Sequence, residues 1–557
     1  SKIDRTITGV VTSKEDGSVI PGANVILKGT QKGGSTNASG RYSIGVLGND
    51  PILIFSFVGY IAEEAVLTNS NVLDIALTPS SENLNEVVVT ALGIKREERS
   101  LGYSVGKVDG KELTRVVQEN ILNGMAGKVA GVSINSTGGT GSSVSMVIRG
   151  ATSLNNDNQP LFVVDGVPLA NTLNNVSQVN GNDNRVDYGN SISSLNPNDI
   201  ESISILKGPS AAALYGSRAG NGVVLITTKS GADTRKLTIN VNSNVVFDHP
   251  YAFLKQHNRF GAGLLSYKPG SPATNPEGRL VFDYMGTAFG AELDKGYEEV
   301  QWNSPIGPDG KQIKTPLVSH PDNIRNFFKT GITFHNSISA ANNNGISSYR
   351  ISFSNMKHTG IIPNSDLVNN TFNLNTSLKI SKKFTLSTNL DLSRNGADNR
   401  PAGERGTNPM QWAYEVNPST DIRDLRNYWI AGKEGLQQRA QDWDRSIHQL
   451  NNPYFLAYEI KNGFSRDRVF GNIRADWKII PELNLMLRYA LDNLAEKRET
   501  QVANSYTTDP YGGYGLMDLR NFENNVDALL NYKKSVKDFS FSLSAGANHR
   551  YQNGSNS

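Results

Sequence analysis

Residues that do covalent chemistry are sparse in this chain and poorly spaced for it. There is no cysteine, which excludes disulfides, thiolate zinc sites, iron–sulfur clusters and a cysteine nucleophile. The seven histidines are scattered, none of them three to five residues apart, so no helix-borne metal pair is present. His335, on a polar strand face, and His549, near the end, read as solvated or inward-facing side chains rather than as ligands. Neighbouring carboxylates such as Glu63-Glu64 and Glu97-Glu98 read as solvated surface, because a glycosidase needs its two carboxylates facing each other across a bond. Asn182-Asp183-Asn184 with Asp187 offers oxygen ligands for calcium or makes an ordinary polar loop, and its spacing fits no standard calcium loop. No phosphate-loop, dinucleotide or zinc-protease spacing occurs. The chain is therefore not expected to be an enzyme, and no cofactor is implied.

Two kinds of segment could instead bind. Trp302, Trp412, Trp429 and Trp443 sit in long loops, where their faces either stack on sugar rings or a partner, or pack inside the folded loops. Glu86, Val87, Val88, Val89 and Thr90 form a β-branched run in polar surroundings. Such a run adds as a strand to another protein's exposed edge, or else closes the module before it.

Composition bounds what can position these residues. The chain has 557 residues, 37% hydrophobic and 19% charged, with 53 glycines. That is turn-rich, but too apolar for disorder. A formal charge of +3 without a basic block argues against nucleic acid as a partner. The most apolar stretch, 52–58, is far too short for a membrane helix. A transmembrane barrel strand needs only about 10 residues, alternately apolar. Ser1 opens without a charged and apolar leader, so any signal peptide is expected to have been removed or omitted.

Residues 1–80 read as a small β-sandwich. Apolar runs at 6–11, 23–27, 41–44, 52–58 and 72–77 are separated by turn signals such as Asp16-Gly17 and Ser39-Gly40. Ile54, Phe55 and Phe57 are expected in its core. Pro21-Gly22-Ala23-Asn24-Val25, Ser39-Gly40-Arg41-Tyr42 and Phe57-Val58-Gly59-Tyr60 resemble the carboxypeptidase-regulatory-like, immunoglobulin-type module. A linker at 81–100 follows.

Residues 101–231 read as mixed α/β. A helix is expected over 110–125 from Leu113, Val116, Val117, Ile121 and Leu122, and a second over 209–215. Strands are expected at 129–134, 144–148, 161–164, 202–206 and 223–228. Val147-Ile148-Arg149-Gly150, Phe162-Val163-Val164-Asp165-Gly166 and the run from Gly208 through Tyr215-Gly216 to Gly220-Asn221-Gly222 resemble the plug domain of TonB-dependent outer-membrane transporters. More narrowly, they resemble the SusC/RagA family. Arg149 reads either as a plug-to-barrel ion pair or as wiring within the plug.

The resemblance implies energy-coupled uptake of an oligosaccharide or peptide across the outer membrane of a Gram-negative bacterium. The plug would block a wide barrel. TonB, driven by its inner-membrane motor, would pull on Glu86 to Thr90, which match the TonB box. A SusD-like surface lipoprotein would close the outer face, and the N-terminal module and TonB box would lie in the periplasm. Two alternatives from other classes are an incomplete barrel held by the barrel-assembly machinery and a surface adhesin; an adhesin would need neither plug nor TonB box.

From 235 onward the period is two. Leu237, Ile239, Val241, Val245 and Phe247 alternate with polar residues, and eight further runs do the same, ending at Phe539, Phe541, Leu543 and Ala545. The fold class is thus mainly β, with nine long strands at 232–557 forming the N-terminal portion of a transmembrane barrel in contact with outer-membrane lipid. Short and long connections alternate, as periplasmic turns and outer loops do. Nine is odd, and single-chain bacterial barrels close with even numbers. The natural chain is therefore expected to continue for several hundred residues past Ser557. The nine strands are expected to form an open curved sheet edged by 235–247 and 539–550.

Overall fold

The computed structural model describes all residues except 1–4, 31–32, 47–51, 58–59, 68–69, 79–86, 90–94, 98–104, 116–117, 119, 137–140, 154–157, 170–185, 208–214, 233–234, 263–287, 404–406, 441–450 and 537–538. It falls into two compact units, Ser1–Val88 with Arg96–Leu101, and Val89–Lys95 with Gly102–Ser557.

In the first unit, period-two burial along short strands builds two sheets. One sets Arg5–Ser13 between antiparallel Arg41–Val46 and parallel Ile75–Leu77. The other runs Gly33–Ser35, Asn24–Leu27, Ile52–Ser56, Glu63–Val66. Gly33–Ser35 and Glu63–Val66, absent from the sequence expectation, are short polar edge strands, which carry little apolar signal. Ile7, Val11, Val25, Tyr42, Leu53 and Phe55 fill the core, with Tyr42 edge-on to Phe55 at 5.2 Å. Ile54 is corrected: Leu53 and Phe55 point inward, so alternation turns Ile54 to the outer face, half-buried. Phe57 packs against the core partly buried.

Every residue of this core cluster lies between Ile7 and Leu77, and there is no cysteine staple. Residues 1–80 expressed alone are expected to melt cooperatively. Phe55→Ala should cost that fragment about 3–5 kcal/mol, read as the shift of its thermal or urea midpoint. A disordered spectrum for the unsubstituted fragment would contradict the boundary.

In the second unit, an α/β inner domain carries a five-stranded sheet in the order Val105–Asp109, Ile200–Leu206, Val223–Thr228, Leu161–Val164, Val167–Leu169. Beside it lies a hairpin of Val132–Ser136 and Val144–Ile148. The expected long helix is corrected. Gly110–Leu113 is a single turn capped by Asp109, and Asn123–Met125 is a separate 3-10 turn. Leu113 reaches the core from the first turn, and Ile121 and Leu122 from the chain just before the second, so their spacing imitates one helical face without forming it. The helix expected at 209–215 lies almost wholly outside the described residues.

The remaining strands form one antiparallel sheet of nine, in strict sequence order: Thr238–Asp248, Gly331–Asn343, Ser347–Thr359, Asp366–Lys379, Phe384–Ala397, Ile460–Ile480, Leu483–Val502, Gly513–Val536 and Phe539–Asn556. The first and last are not paired with each other, so the sheet is open at both edges among the described residues. Connections 344–346, 380–383 and 481–482 are tight and two residues separate the last two strands, whereas 249–330 and 398–459 are long. The third connection, 360–365, was expected to be long and is not.

One face of this sheet is apolar and exposed, with Val241, Phe247, Phe334, Ile338, Phe353, Ile473, Leu487, Val526 and Leu543 among its residues. Aromatic residues gather near the tight-turn ends, where Phe384 pairs with Trp477 and Tyr532 with Leu483. An apolar band with an aromatic girdle is what lipid selects on a barrel exterior. The opposite face is polar, and the inner domain rests against it.

Candidate functional site

The polar face is built from the residues between the apolar ones, and its register decides what reaches the inner domain. On the sixth strand Arg466, Arg468, Phe470 and Asn472 point inward. Arg468 grips Asp492 through Nε and Nη2 at 2.8 and 2.7 Å and donates from Nη1 to the Ser191 carbonyl at 3.1 Å. Arg466 donates from Nε to Glu496 at 2.6 Å and from Nη2 to the carbonyls of Tyr188 and Gly189 at 3.1 and 3.2 Å. Arg498 donates to the other oxygen of Glu496 at 2.6 Å and lies over the Tyr188 ring at 4.4 Å. Phe470 and Ala490 of the wall complete the inner domain's own hydrophobic core.

On the third strand Arg350 and Ser352 both hold Asp199 of the inner domain at 2.7 Å. Arg218 and Arg550 share Glu523 at 2.8 and 2.9 Å. The contact thus combines guanidinium–carboxylate forks and backbone-carbonyl contacts with two apolar insertions: Phe470 of the wall enters the inner domain's core, and Val186 and Tyr188 of the inner domain pack among Met356, Leu367, Ala397 and Phe464 of the wall, with Tyr188 edge-on to Phe464 at 5.6 Å. Charge-assisted bonds of this kind are strong and directional, yet water can replace them when the surfaces part.

Asp165 and Gly166 form the tight turn between Leu161–Val164 and Val167–Leu169. Both have positive φ, 47° and 85°. At Gly166 a side chain would also overlap the Arg488 guanidinium, which pairs with Asp527 at 2.8 Å. The positive φ favours glycine here, and any side chain would also have to displace the Arg488 guanidinium. Asp165 accepts from the Thr228 amide and hydroxyl at 2.9 and 2.6 Å and from Asn389 of the wall at 2.6 Å. Asn472 donates to its carbonyl at 3.1 Å.

Burial pushes the Asp165 carboxyl from 3.8 up to about 6; the Thr228 bonds oppose the rise and Glu201 adds to it. The docked form therefore retains a proton that a solvated carboxyl has already lost, so docking here is strongest at acid pH and weakens as pH climbs through that window. The Thr228 amide, corrected for intrinsic rate, should exchange faster at about pH 7 than at about pH 5. The difference should vanish in Asp165→Asn. Equal protection at both pH values in the natural protein would refute the assignment.

Of the other residues singled out in sequence, Arg149 is exposed at a turn with φ 59°, its amide bonded to Gly131. Of its two readings, the plug-to-barrel ion pair is corrected: among the described residues Arg149 forms none, and the plug arginine that meets the wall is Arg218, on Glu523. Gly150, Gly216 and Gly222 have positive φ, while Tyr215 and Gly220 flank the short turn Gly216–Ala219. Gly208 and Trp443 lie outside the described residues, as do Asn182, Asp183 and Asn184. Asp187 is occupied by Ser143 and Gly189.

One Gly-x-Ser-x-Gly spacing does occur, at Gly102-Tyr103-Ser104-Val105-Gly106. Val105 opens a strand there, whereas a nucleophile elbow follows a strand and leads into a helix.

Val87–Val89 is a short strand paired with Lys95–Glu97; Glu86 and Thr90 lie outside the described residues. The long connections fold on one another. Trp302 donates to Thr420 at 3.0 Å beneath Arg439, and Trp429 stands edge-on to Phe455 at 5.3 Å. Trp412 packs against the same Phe455 group.

His335 is buried on the inward face, while His549 is exposed on the last strand. Sequence reasoning missed the inward arginines. Their only signal was charge at the polar positions of otherwise apolar strands.

Residues 97–223 match the TonB-dependent Receptor Plug Domain, and residues 7–89 the CarboxypepD_reg-like domain. The chain is 38% identical over 258 residues to TonB-dependent receptor P39 of Formosa agariphila, covering 46% of this chain and 23% of that protein. It is 27% identical over 567 residues to TonB-dependent receptor SusC of Bacteroides thetaiotaomicron, covering 99% of this chain and 50% of that one. The fold is similar to that of the RagAB peptide importer in its open-open state, with a TM-score of 0.59 at 18% identity over 84% of this chain and 53% of that chain. The chain spans about half the length of the relatives it matches throughout. With a plug seated against the polar face of an antiparallel wall that is apolar outside, and a regulatory-like module before it in sequence, the chain is similar to the SusC/RagA-like TonB-dependent receptors.

Proposed function

We propose that this protein imports a nutrient, an oligosaccharide or a peptide, across the outer membrane by TonB-dependent transport, with a SusD-like surface lipoprotein as its lid. The observation that carries the reading is the seam between plug and wall. Arginine forks and carbonyl contacts hold it beside two small apolar contacts, at Phe470 and at Tyr188 with Phe464, and its polar part can separate and re-form in water. Similarity to SusC along the whole chain supports the class of transport, and the fold shared with a peptide importer supports a solute larger than an ion.

In this reading Val87, Val88 and Val89, with Glu86 and Thr90, are the segment that TonB grips from the periplasm, adding its own strand to the edge that Lys95–Glu97 leaves open. Tyr251 and Tyr511, on outer connections and more than nine-tenths exposed, join Trp412, Trp429 and Trp443 as candidates for touching the lid or the solute.

Purification of the natural protein from outer membranes, with identification of whatever comes with it, tests the proposal. A surface lipoprotein and a bound glycan or peptide are expected. Recovery without a lipoprotein and with a metal chelate bound would overturn the substrate class.

A further inference from the structure

Along the fourth and fifth strands the seam differs from the arginine clamp beside it. Asn373 and Asp391 face each other across the two strands, with Asn389 and Ser393 two residues to either side of Asp391 on the same inward face. All four are at least nine-tenths buried. Among the described residues, Asn373 Oδ1, Asn389 Oδ1, Asp391 Oδ1 and Ser393 Oγ have no hydrogen-bond partner. Among these residues the Asp391 carboxylate receives one long bond, from Asn373 Nδ2 to Oδ2 at 3.5 Å. Three of the four orphans are pure acceptors, and the fourth is a hydroxyl that can accept.

The surrounding charges are already committed. In the same row, Ser352 and its neighbour Arg350 hold Asp199. One step outward, Arg468 is spent on Asp492 and Ser191. One step inward, Asn389 gives its amide to Asp165, which has no cation among its hydrogen-bond partners. Lys229 donates to the Asn198 carbonyl, and Arg474 to Asp476. The surplus guanidinium of the Arg466–Glu496–Arg498 group lies about four residues along the sixth strand, roughly 13 Å away. A cavity of about 200 Å³, lined by Asp165, Asn375, Asn389 and Asn472, opens at the inner end of this column.

We propose that the seam between the plug and the fourth and fifth strands is a hydrated column that holds a small monovalent metal cation at Asp391, with Asn373, Asn389 and Ser393 as its neutral oxygen ligands, directly or through water. A buried carboxylate with a single long hydrogen bond and no cation in contact is stabilised by a positive partner. One full charge with three neutral oxygens suits sodium or potassium, since calcium sites collect more carboxylates. The assignment rests on the plug-and-wall geometry and is independent of which nutrient is carried.

The test uses the natural protein in detergent, titrating sodium chloride against choline chloride at constant total salt and following the thermal midpoint. A saturable rise with sodium is expected, with apparent affinity weakened about tenfold or more in Asp391→Asn. Should that variant fail to insert, Ser393→Ala and Asn373→Ala keep the charge and should each weaken the sodium response. No sodium dependence in the natural protein, the result expected if Asp391 simply carries a proton, would overturn the proposal. So would an identical response in the natural protein and all three variants.

Discussion

Val88→Pro is expected to reduce uptake to the level of a chain lacking residues 86–90, with an unchanged amount of protein in the outer membrane. Proline removes a backbone donor and fixes φ where an added strand needs a ladder bond. Val87–Val89 is only three residues long, so one lost bond is a large share of the total. Its pairing with Lys95–Glu97 already uses one edge, and successive amides along a strand point to opposite edges. Val88→Pro and Val89→Pro therefore strike different edges: one blocks an incoming strand, and the other frees the segment from its local partner. The two variants should differ, the first losing uptake and the second retaining more of it. Because the wall's nine strands owe nothing to this segment, insertion should be normal in both. Uptake unchanged in both variants would remove the segment from the coupling mechanism.

What the sequence disclosed of this fold follows from which forces are local. Lipid imposes period two on each strand separately, so Leu237 to Phe247 and Phe539 to Leu543 announce their outward face without knowledge of any neighbour. The N-terminal sandwich is legible for the same reason, apart from Ile54, where a continuous apolar run hides which alternate set faces in. The clamp was not legible. Arg466 and Arg468 look like ordinary polar positions beside Val469, and their meaning depends on carbonyls of Tyr188 and Ser191, some 277 residues away in the chain. Phe470 was hidden by the same alternation, since it occupies the polar phase of its strand and is buried only because the plug covers it. In the plug itself, Leu113, Ile121 and Leu122 obey a helical spacing that the chain does not adopt, because tertiary burial outweighs periodicity over so short a stretch. Asp165-Gly166 stood out as a motif, but its reason, the guanidinium of Arg488 pressed against a backbone with no room for a side chain, appears only in three dimensions.

Arg468→Ala should loosen the plug without disturbing the wall. The Arg468 side chain is almost wholly buried, holds Asp492 in a two-point fork, and reaches the plug through Ser191. Its guanidinium also lies over Phe470 at 5.4 Å, the aromatic that enters the plug core. Truncation leaves the buried Asp492 carboxylate without its cation, a loss of about 3–5 kcal/mol in comparable sites. The wall cannot easily yield, because its backbone ladder sits in hydrocarbon where each broken bond is costly. The cheaper response is for water to enter the seam and solvate Asp492, which requires the Ser191–Ser194 turn to lift away. The variant should therefore insert in normal amounts, while its plug becomes more rapidly cleaved by added protease and the outer membrane leaks small solutes. Arg468→Ala combined with Asp492→Ala removes the orphaned charge together with its partner and should recover much of the protection, because what is lost is then a pair and not a compensation. Arg468→Lys should fall between, since an ammonium lacks the planar fork needed to hold the carboxylate at two points while reaching the Ser191 carbonyl. If the single variant's plug is as protected as the natural one, or the double variant is no better than the single, the clamp does not hold the plug in the way its geometry indicates.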